Sequence, residues 1–181
     1  MNIVEARMSG DRPSRLFDKV WTTEVEAHSG LNVARMLAVN IRQNTVMKIG
    51  FVSPEITAAV AGLVAETFEA DTVKISQLGV DSVLKPACDE LGGDKAGIGW
   101  GQMVKILEKE SIGRCQVRYK GDAPTLIFLV RKFVGVVRAR LSAWRYDDAY
   151  SWTLLHVSPQ DRTCWSAGHC FVSAILEPDS S

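Results

Sequence analysis

The sequence predicts an α+β fold in which N-terminal helices are followed by an antiparallel β-meander of about four or five strands packed on them. Apolar residues recur at helical spacing as far as residue 112, and they alternate with period two beyond it. The composition is globular, with 46% hydrophobic and 23% charged residues among 181, which suits one domain with its own core. We therefore expect a single domain. Its parts are an N-terminal extension, a helical part and an antiparallel sheet part, over 1–30, 31–112 and 113–176.

The first helices are predicted from short apolar repeats. A short helix fits residues 15–25 of the N-terminal extension, which is otherwise mixed and polar. Further along, Val33, Leu37 and Ile41 follow one another at four-residue spacing. This spacing places them on one side of a helix and predicts an amphipathic helix over 31–44.

The stretch VSPEITAAVAGLVAETFEAD is the strongest helical signal in the chain. Ser53 suits the N-cap and Pro54 the first helical position. Apolar side chains follow at helical spacing along the whole stretch, so we expect one long helix. Its second face carries only small residues and is a candidate contact in a homo-oligomer. These residues are Ala58, Gly62 and Ala65.

Two more helices are predicted before residue 113. One ends at DELGG, where Gly92 or Gly93 is the stop signal. The other covers GQMVKILEKES, which carries its apolar residues on one face.

Five segments beyond residue 113 have the pattern of strands. TLIFLV is apolar on both faces, as is typical of a central strand. The third and fourth segments flank two aspartates and predict a long antiparallel hairpin. In chain order the segments are RCQVRYK, TLIFLV, VVRARLSAWRY, YSWTLLHV and HCFVSAIL.

The hairpin register predicts which side chains are buried. Centring the hairpin on its two aspartates places Leu141 opposite Leu154. Successive side chains of a strand point to opposite faces. We therefore expect Trp152 and Leu154 to be buried on one face. Arg138 and Arg140 then point to the opposite face.

The face that carries the arginines is the main candidate binding surface. If RCQVRYK lies on the same side of the sheet, its basic residues join those of the hairpin. Such a surface suits an acidic protein partner, or single-stranded nucleic acid bound by charge and stacking. The alternative is that this face is simply the solvated side of a half-buried sheet. The candidate partner-binding residues are Arg114, Arg118, Lys120, Arg138, Arg140 and Trp144.

The glycine-rich run GGDKAGIGWGQ is a second candidate, as a loop that contacts a ligand or a partner. It precedes a predicted helix, where backbone N–H groups can bind an anion. It lacks the G-K-[ST] of a P-loop and does not follow a strand, so neither nucleotide-binding pattern applies. A flexible connector with an exposed tryptophan is the simpler interpretation. The residues concerned are Gly97, Gly99, Trp100 and Gly101.

The stretch RTCWSAGHCFV brings Cys164, His169 and Cys170 together. Its C-x₅-C spacing is not that of a zinc site, and neighbouring residues of a strand point to opposite faces. We expect no metal, no cofactor and no catalytic residue here, and cysteines that are unpaired and structural. By the same reasoning His156 is predicted to be a hydrogen-bonded core histidine.

Composition also excludes some classes of function. Lys+Arg and Asp+Glu both total 21, so the chain lacks the basic excess typical of phosphate-binding proteins. The charged N-terminus has no apolar region of a signal peptide, and no apolar run reaches the length of about 20 residues that spans a bilayer. We therefore expect a cytoplasmic protein that does not contact membranes.

These observations favour a non-enzymatic interaction protein that binds another macromolecule, preferably a protein, through the basic sheet face or the small-residue helix face. Two alternatives stay open. One is a nucleic-acid-binding domain that uses the basic sheet face. The other is a small enzyme or ligand-binding protein that uses the glycine-rich loop and the Cys/His residues.

Overall fold

The computed structural model describes residues 15–41, 45–112, 125–143 and 150–177. In these ranges the chain forms eleven β-strands, four α-helices and one 3-10 turn. The strands are β1 (Phe17–Val25), β2 (His28–Leu31), β3 (Ile49–Val52), β4 (Glu66–Phe68), β5 (Asp71–Leu78), β6 (Ser82–Val83), β7 (Thr125–Leu129), β8 (Val136–Ala143), β9 (Tyr150–Val157), β10 (Cys164–Trp165) and β11 (Cys170–Ala174). The helices are α1 (Val33–Met36), α2 (Pro54–Ala61), α3 (Leu84–Leu91) and α4 (Trp100–Ser111), and the 3-10 turn is Gly93–Ala96.

Seven of the strands form one mixed sheet in the order β1-β5-β11-β7-β8-β9-β3. Neighbouring strands are antiparallel except for two parallel pairs, β7 with β11 and β3 with β9. Two small two-stranded sheets, β6 with β10 and β2 with β4, lie beside it. The C-terminal strand β11 is therefore interior to the large sheet, while β1 and β3 are the outermost of its described strands.

The predicted fold class, N-terminal helices followed by a meander of four or five strands, is wrong. The predicted short helix over 15–25 is instead the outer strand β1. Within the predicted helical part, β5 forms an inner strand whose neighbours are β1 and β11. Val73 and Ile75 of β5 alternate onto one buried face, a period-two pattern that the sequence interpretation overlooked. The large sheet thus draws strands from both halves of the chain.

The helix predicted over 31–44 is reduced to the single turn α1. The Asn32 side chain caps it by accepting a hydrogen bond from the Arg35 backbone N–H at 2.9 Å. The Asn40 side chain then donates to the Met47 carbonyl at 3.1 Å and accepts from the Ile49 N–H at 2.6 Å. These bonds turn the chain back toward β3, so the apolar spacing of the segment does not continue as a helix.

The helix predicted from VSPEITAAVAGLVAETFEAD begins where expected but is shorter. α2 starts at Pro54 after the N-cap Ser53, and it ends at Ala61 with Gly62 as C-cap. Leu63, Val64 and Ala65 then follow without regular structure, and Phe68 lies in β4, which pairs with β2. Ala65 therefore lies beyond the helix, and the predicted continuous face of small residues is not formed.

Other predicted elements are present. α3 ends at Leu91, and its C-cap Gly92 has a φ of +112°, a left-handed conformation that favours glycine. The fourth predicted helix is α4, and TLIFLV forms β7. The HCFVSAIL segment forms β11, although in the interior of the sheet and not at the end of a meander.

Each face of the large sheet is covered by a different set of elements. On the α4 face, side chains from α1, α2 and α4 pack against the sheet. On the α3 face, residues of α3, β10 and the 3-10 turn pack against it. Strand β11 contributes to both cores, with Cys170 and Val172 on the α4 face and Phe171 on the α3 face.

The hairpin of β8 and β9 is present with a register two residues away from the predicted one. Leu141 lies opposite Trp152, and Ala139 lies opposite Leu154. A shift of two residues leaves every side chain on its original face, whereas a shift of one would exchange the faces. Trp152 and Leu154 are therefore buried on the α4 face as expected.

We expect Trp152→Ala to lower the free energy of unfolding by about 3–5 kcal/mol, because the side chain is fully buried in the α4-face core. Its indole Nε1–H also donates to Ser111 Oγ at 2.9 Å. Trp152→Phe should therefore lose less, since it retains most of the apolar contact. Urea denaturation measures both changes. The exposed Tyr150 in the same strand is the matched control, and Tyr150→Ala should change stability by less than about 0.5 kcal/mol.

Candidate functional site

Arg138 occupies an unusual position on the α3 face, in the interior strand β8. In β8 it lies opposite Ile127 of β7 and Leu155 of β9, so its strand neighbours are apolar. Its guanidinium carbon lies 5.3 Å from the centre of the Trp165 ring, within the range of a cation–π contact. The hairpin positions Arg138, and the short β10 strand positions Trp165.

Within the described ranges, this arginine has no compensating acid. Burial, and secondarily the like charge of Arg140, lower the pKa of Arg138. Among the described residues, neither Arg138 Nε nor the buried Trp165 Nε1 has a hydrogen-bond partner. Buried donors are nearly always hydrogen-bonded, because an unsatisfied one keeps its full desolvation penalty. Two such donors beside one another mark this position as a candidate site for an acceptor.

The α3 face continues from Arg138 onto a more open surface. Arg140 is exposed and lies between Thr125 of β7 and Thr153 of β9. Phe51 of the outer strand β3 is the parallel partner of Thr153 and is 47% exposed. Two strand spacings, about 10 Å, separate the backbones at Phe51 and Arg140. Two arginines and one exposed aromatic side chain thus share this surface.

The structure locates only part of the predicted basic face. Arg138 and Arg140 point away from Trp152, as expected from alternation along the hairpin. Arg138 is half-buried rather than solvated. The other predicted members of the face lie outside the described residues, so their convergence with the hairpin stays a prediction. They are Arg114, Arg118, Lys120 and Trp144.

Sequence reasoning singled out neither Phe51 nor Trp165 as a site residue. Phe51 reaches the site because β3 pairs with β9, about a hundred residues later in the chain. Trp165 reaches it because β10 pairs with β6 over the α3 face. Both placements depend on long-range pairing, and no local pattern signals them.

The glycine-rich loop differs from the expected flexible loop with an exposed tryptophan. Trp100 is buried and packs edge-on against Phe133, with ring centres 5.2 Å apart. The Gly101 N–H donates to the Glu66 carboxylate at 2.6 Å. The Gly99 N–H donates to the Gln102 side-chain oxygen at 2.7 Å. The chain's own side chains thus occupy both of these amide donors at the start of α4.

Close packing explains two of these glycines. A Cβ at Gly101 would lie 2.5 Å from Phe68 Cε1 and 2.8 Å from Glu66 Oε2. A Cβ at Gly97 would lie 2.9 Å from the Arg131 Cα. All of these distances are shorter than van der Waals contact allows. Glycine at position 101 therefore lets β4 approach closely, and glycine at position 97 does the same for the Arg131 backbone.

A cleft of about 300 Å³ opens beside the glycine-rich loop. Two of its carboxylates are engaged, since Glu66 accepts from Gly101, and Asp71 accepts from Gln102 Nε2 at 2.7 Å. The described part of the chain contains no group of three His, Cys, Asp or Glu side chains that could hold a metal ion. The cleft is lined by Glu66, Phe68, Glu69, Ala70, Asp71, Gly99, Gln102 and Arg131.

Two of the three cysteines in the described segments are half-buried or buried. Cys88, Cys164 and Cys170 are all free, and Cys170 is buried in the α4-face core. Burial raises the pKa of the Cys170 thiol to about 12 and that of Cys88 to about 11. A thiolate is the nucleophilic form, so the raised pKa values keep these two thiols protonated at neutral pH and disfavour nucleophilic attack.

The two histidines near the C-terminus are held by backbone carbonyls. His156 Nε2 lies 2.8 Å from the Val134 oxygen, and the ring packs edge-on against Phe133. His169 Nδ1 lies 2.8 Å from the Ser166 oxygen, and its ring packs edge-on against Trp165. His156 is thus hydrogen-bonded as predicted, but it is half-buried and does not belong to either core.

Comparison of the chain with protein-family models, with curated proteins and with solved structures finds no match. No helix in the described ranges has the length and apolar content needed to cross a membrane.

Gly101→Ala should lower the free energy of unfolding by about 1–3 kcal/mol, because the added methyl group collides with Phe68 and Glu66. Gly62→Ala is the matched control. A methyl group at Gly62 would meet no side chain or distant backbone atom within 4 Å, and the φ of −95° is open to alanine, so a change below about 1 kcal/mol is expected. Thermal unfolding compares the two variants. Equal losses would contradict the packing role of Gly101.

Iodoacetamide at pH 8 should modify the exposed Cys164 well before Cys88 or Cys170, as peptide mass spectrometry will show. Labelling of Cys170 as fast as Cys164 would contradict the burial of Cys170.

Burial of the Cys170 thiol should also make the free energy of unfolding depend on pH. The pKa of Cys170 rises from an ordinary 9.0 to about 12 on burial. The stabilising contribution of the protonated thiol is therefore complete below pH 9 and is lost as the pH rises toward 12. Between pH 9 and pH 12, the free energy of unfolding should fall less for Cys170→Ala than for the parent.

Proposed function

We propose that the chain is a non-enzymatic interaction protein that binds an acidic segment of another protein across the open part of the α3 face. Arg138, Arg140 and Phe51 are the contact residues in this proposal. The observation that carries it is the half-buried Arg138 guanidinium, which lies against Trp165 with no compensating carboxylate among the described residues.

The charge arrangement supports an acidic partner. The salt bridges between described side chains, Lys85 with Asp89 and Lys105 with Glu108, lie elsewhere. On the α3 face the like charge of Arg140 disfavours the charged form of Arg138. A partner carboxylate would reverse this effect, because an opposite charge stabilises a partly desolvated cation.

The mixture of side chains supports a protein partner. Arginine and aromatic residues are enriched among the side chains that dominate binding energy at protein interfaces. Phe51 provides an exposed apolar contact beside the two arginines, and the half-buried Leu155 lies next to Arg138. Interface cores are depleted of most charged residues but enriched in aromatic residues and arginine.

An enzymatic function has less support. The amide donors of Gly99 and Gly101 are engaged with the chain's own side chains, which leaves them no free anion-binding role. The raised pKa values of Cys88 and Cys170 disfavour a nucleophilic thiolate. The glycine-rich loop is therefore better interpreted as a packing element than as a ligand loop.

Nucleic acid is the other class of partner that a basic face could bind. The equal numbers of basic and acidic residues disfavour it, because nucleic-acid binding depends mainly on neutralising phosphates. Phe51 and the arginines could still contact bases and phosphates, so single-stranded oligonucleotide belongs in the test as a competing ligand.

Arg140→Glu should weaken binding of a glutamate-rich synthetic peptide by at least about tenfold, because it replaces attraction by repulsion at an exposed position. Its stability should change by less than about 0.5 kcal/mol. Arg35→Glu is the matched control, since it makes the same charge change on an exposed position of α1, which packs on the α4 face. Fluorescence anisotropy of the labelled peptide measures the affinity.

Phe51→Ala should weaken the binding of a glutamate-rich peptide that also contains apolar residues. It should not weaken the binding of a peptide that lacks them. Equal weakening by Arg35→Glu and Arg140→Glu would mean that the contact is a diffuse charge effect and not a defined surface. Tighter binding of an oligothymidylate than of the peptide would favour the nucleic-acid alternative over the proposed function.

A further inference from the structure

We infer that Arg138 and Trp165 form the binding site for one carboxylate of the partner, an aspartate or glutamate side chain or a chain terminus. This inference rests on the proposed function and specifies the chemical group that the α3 face recognises. In the free chain the guanidinium covers the indole. In the complex the carboxylate accepts from both side chains.

The donors available at this position match a carboxylate. Arg138 Nε and Trp165 Nε1 are both buried and both without a partner among the described residues. Trp165 is only 4% exposed, so its N–H is desolvated whether or not a ligand binds. A carboxylate has two oxygens and can satisfy two donors at once. Hydrogen bonds to a charged acceptor in a desolvated site are among the strongest in proteins.

A carboxylate can reach these two shielded donors only if a side chain moves, and Arg138 is the side chain free to do so. Both nitrogens are shielded from solvent in the free chain, with the Arg138 guanidinium carbon 5.3 Å from the ring centre. Arg138 is half-buried and its Nε is held by no hydrogen bond among the described residues, so its side chain can rotate away from the indole. The incoming carboxylate then replaces the ring as the group that faces the guanidinium.

The surroundings favour a carboxylate over a phosphate. Ile127 is fully buried beside Arg138, and Leu155 on the other side is half-buried. Such apolar surroundings tolerate a single negative charge better than the nearly double charge of a phosphate monoester, which also has three acceptor oxygens to satisfy. Arg140, two residues away on the same face, is exposed and remains available for a second acidic group.

The spacing of the two arginines suggests how an acidic segment would lie. Side chains at alternate positions of a strand are separated by about 6.6–6.8 Å along the chain. An extended partner segment with acidic residues at alternate positions has the same repeat. Such a segment, running along β8, would place one carboxylate at Arg138 and the next at Arg140.

The test follows the indole N–H resonance of Trp165 in ¹⁵N-labelled protein, assigned with the Trp165→Phe variant. The probe is a capped peptide in which glutamate and leucine alternate, and its control is the glutamine counterpart. We expect the glutamate peptide to move the Trp165 resonance downfield to saturation and the glutamine peptide to leave it in place. Trp21 is the internal control, because its Nε1 is also buried without a partner among the described residues but packs on the α4 face.

Two variants separate this inference from the proposed function. Arg138→Gln should weaken the glutamate peptide about tenfold or more and reduce the Trp165 shift, because it removes the charged donor. Arg140→Gln should weaken binding but leave the Trp165 shift at saturation unchanged. The melting temperature of each variant identifies any loss of affinity that arises from unfolding.

The possible outcomes are distinct. If the peptide binds in an Arg140-dependent way while the Trp165 resonance stays still, the carboxylate site is refuted and the proposed function stands. If the peptide binds neither the parent nor any variant, the proposed function itself is refuted. If inorganic phosphate or oligothymidylate moves the Trp165 resonance and the peptide does not, the site is specific for phosphate and the inference is overturned.

Discussion

The architecture depends on the position of β11 inside the large sheet. This strand pairs with β5 on one side, antiparallel, and with β7 on the other, parallel. Phe171 packs on the α3 face, and its neighbours Cys170 and Val172 pack on the α4 face. Without β11, the β1–β5 pair and the other four described strands of the sheet would have no ladder to join them. One segment near the C-terminus therefore joins two parts of the sheet and two cores.

The same connection forms the candidate site. The chain that leads from β9 into β11 carries β10, which pairs with β6 beside α3. The Gly168 N–H donates to the Leu78 carbonyl at 2.7 Å and fixes this segment to the end of β5. Trp165 is thereby held against the α3 face, in contact with Arg138 of β8. The Arg138–Trp165 contact is thus a consequence of the sheet order and not of local sequence.

The α4 face shows how the chain uses its own acidic groups. Glu66 accepts from Gly101, and Asp71 accepts from Gln102, so carboxylates near β4 and β5 anchor the N-terminal end of α4. A negative group at this end of a helix is favoured by the helix dipole. Carboxylates of the chain itself thus satisfy donors at the start of α4. Arg138 on the α3 face, in contrast, has no acidic partner among the described residues.

The sequence by itself determined the features that depend on neighbours within a few residues. Pro54 marked the start of α2, Gly92 marked the end of α3, and period-two alternation assigned Arg138 and Trp152 to opposite faces of the hairpin, even though the register was two residues away. Tertiary structure decided the ends of α1 and α2, the strand identity of β1 and β5, and the arrival of Phe51 and Trp165 beside the arginines. These features depend on pairing between distant segments, whose hydrogen bonds and apolar contacts override local helical patterns. Only β5 carries a local signal of its strand, in the alternation of Val73 and Ile75.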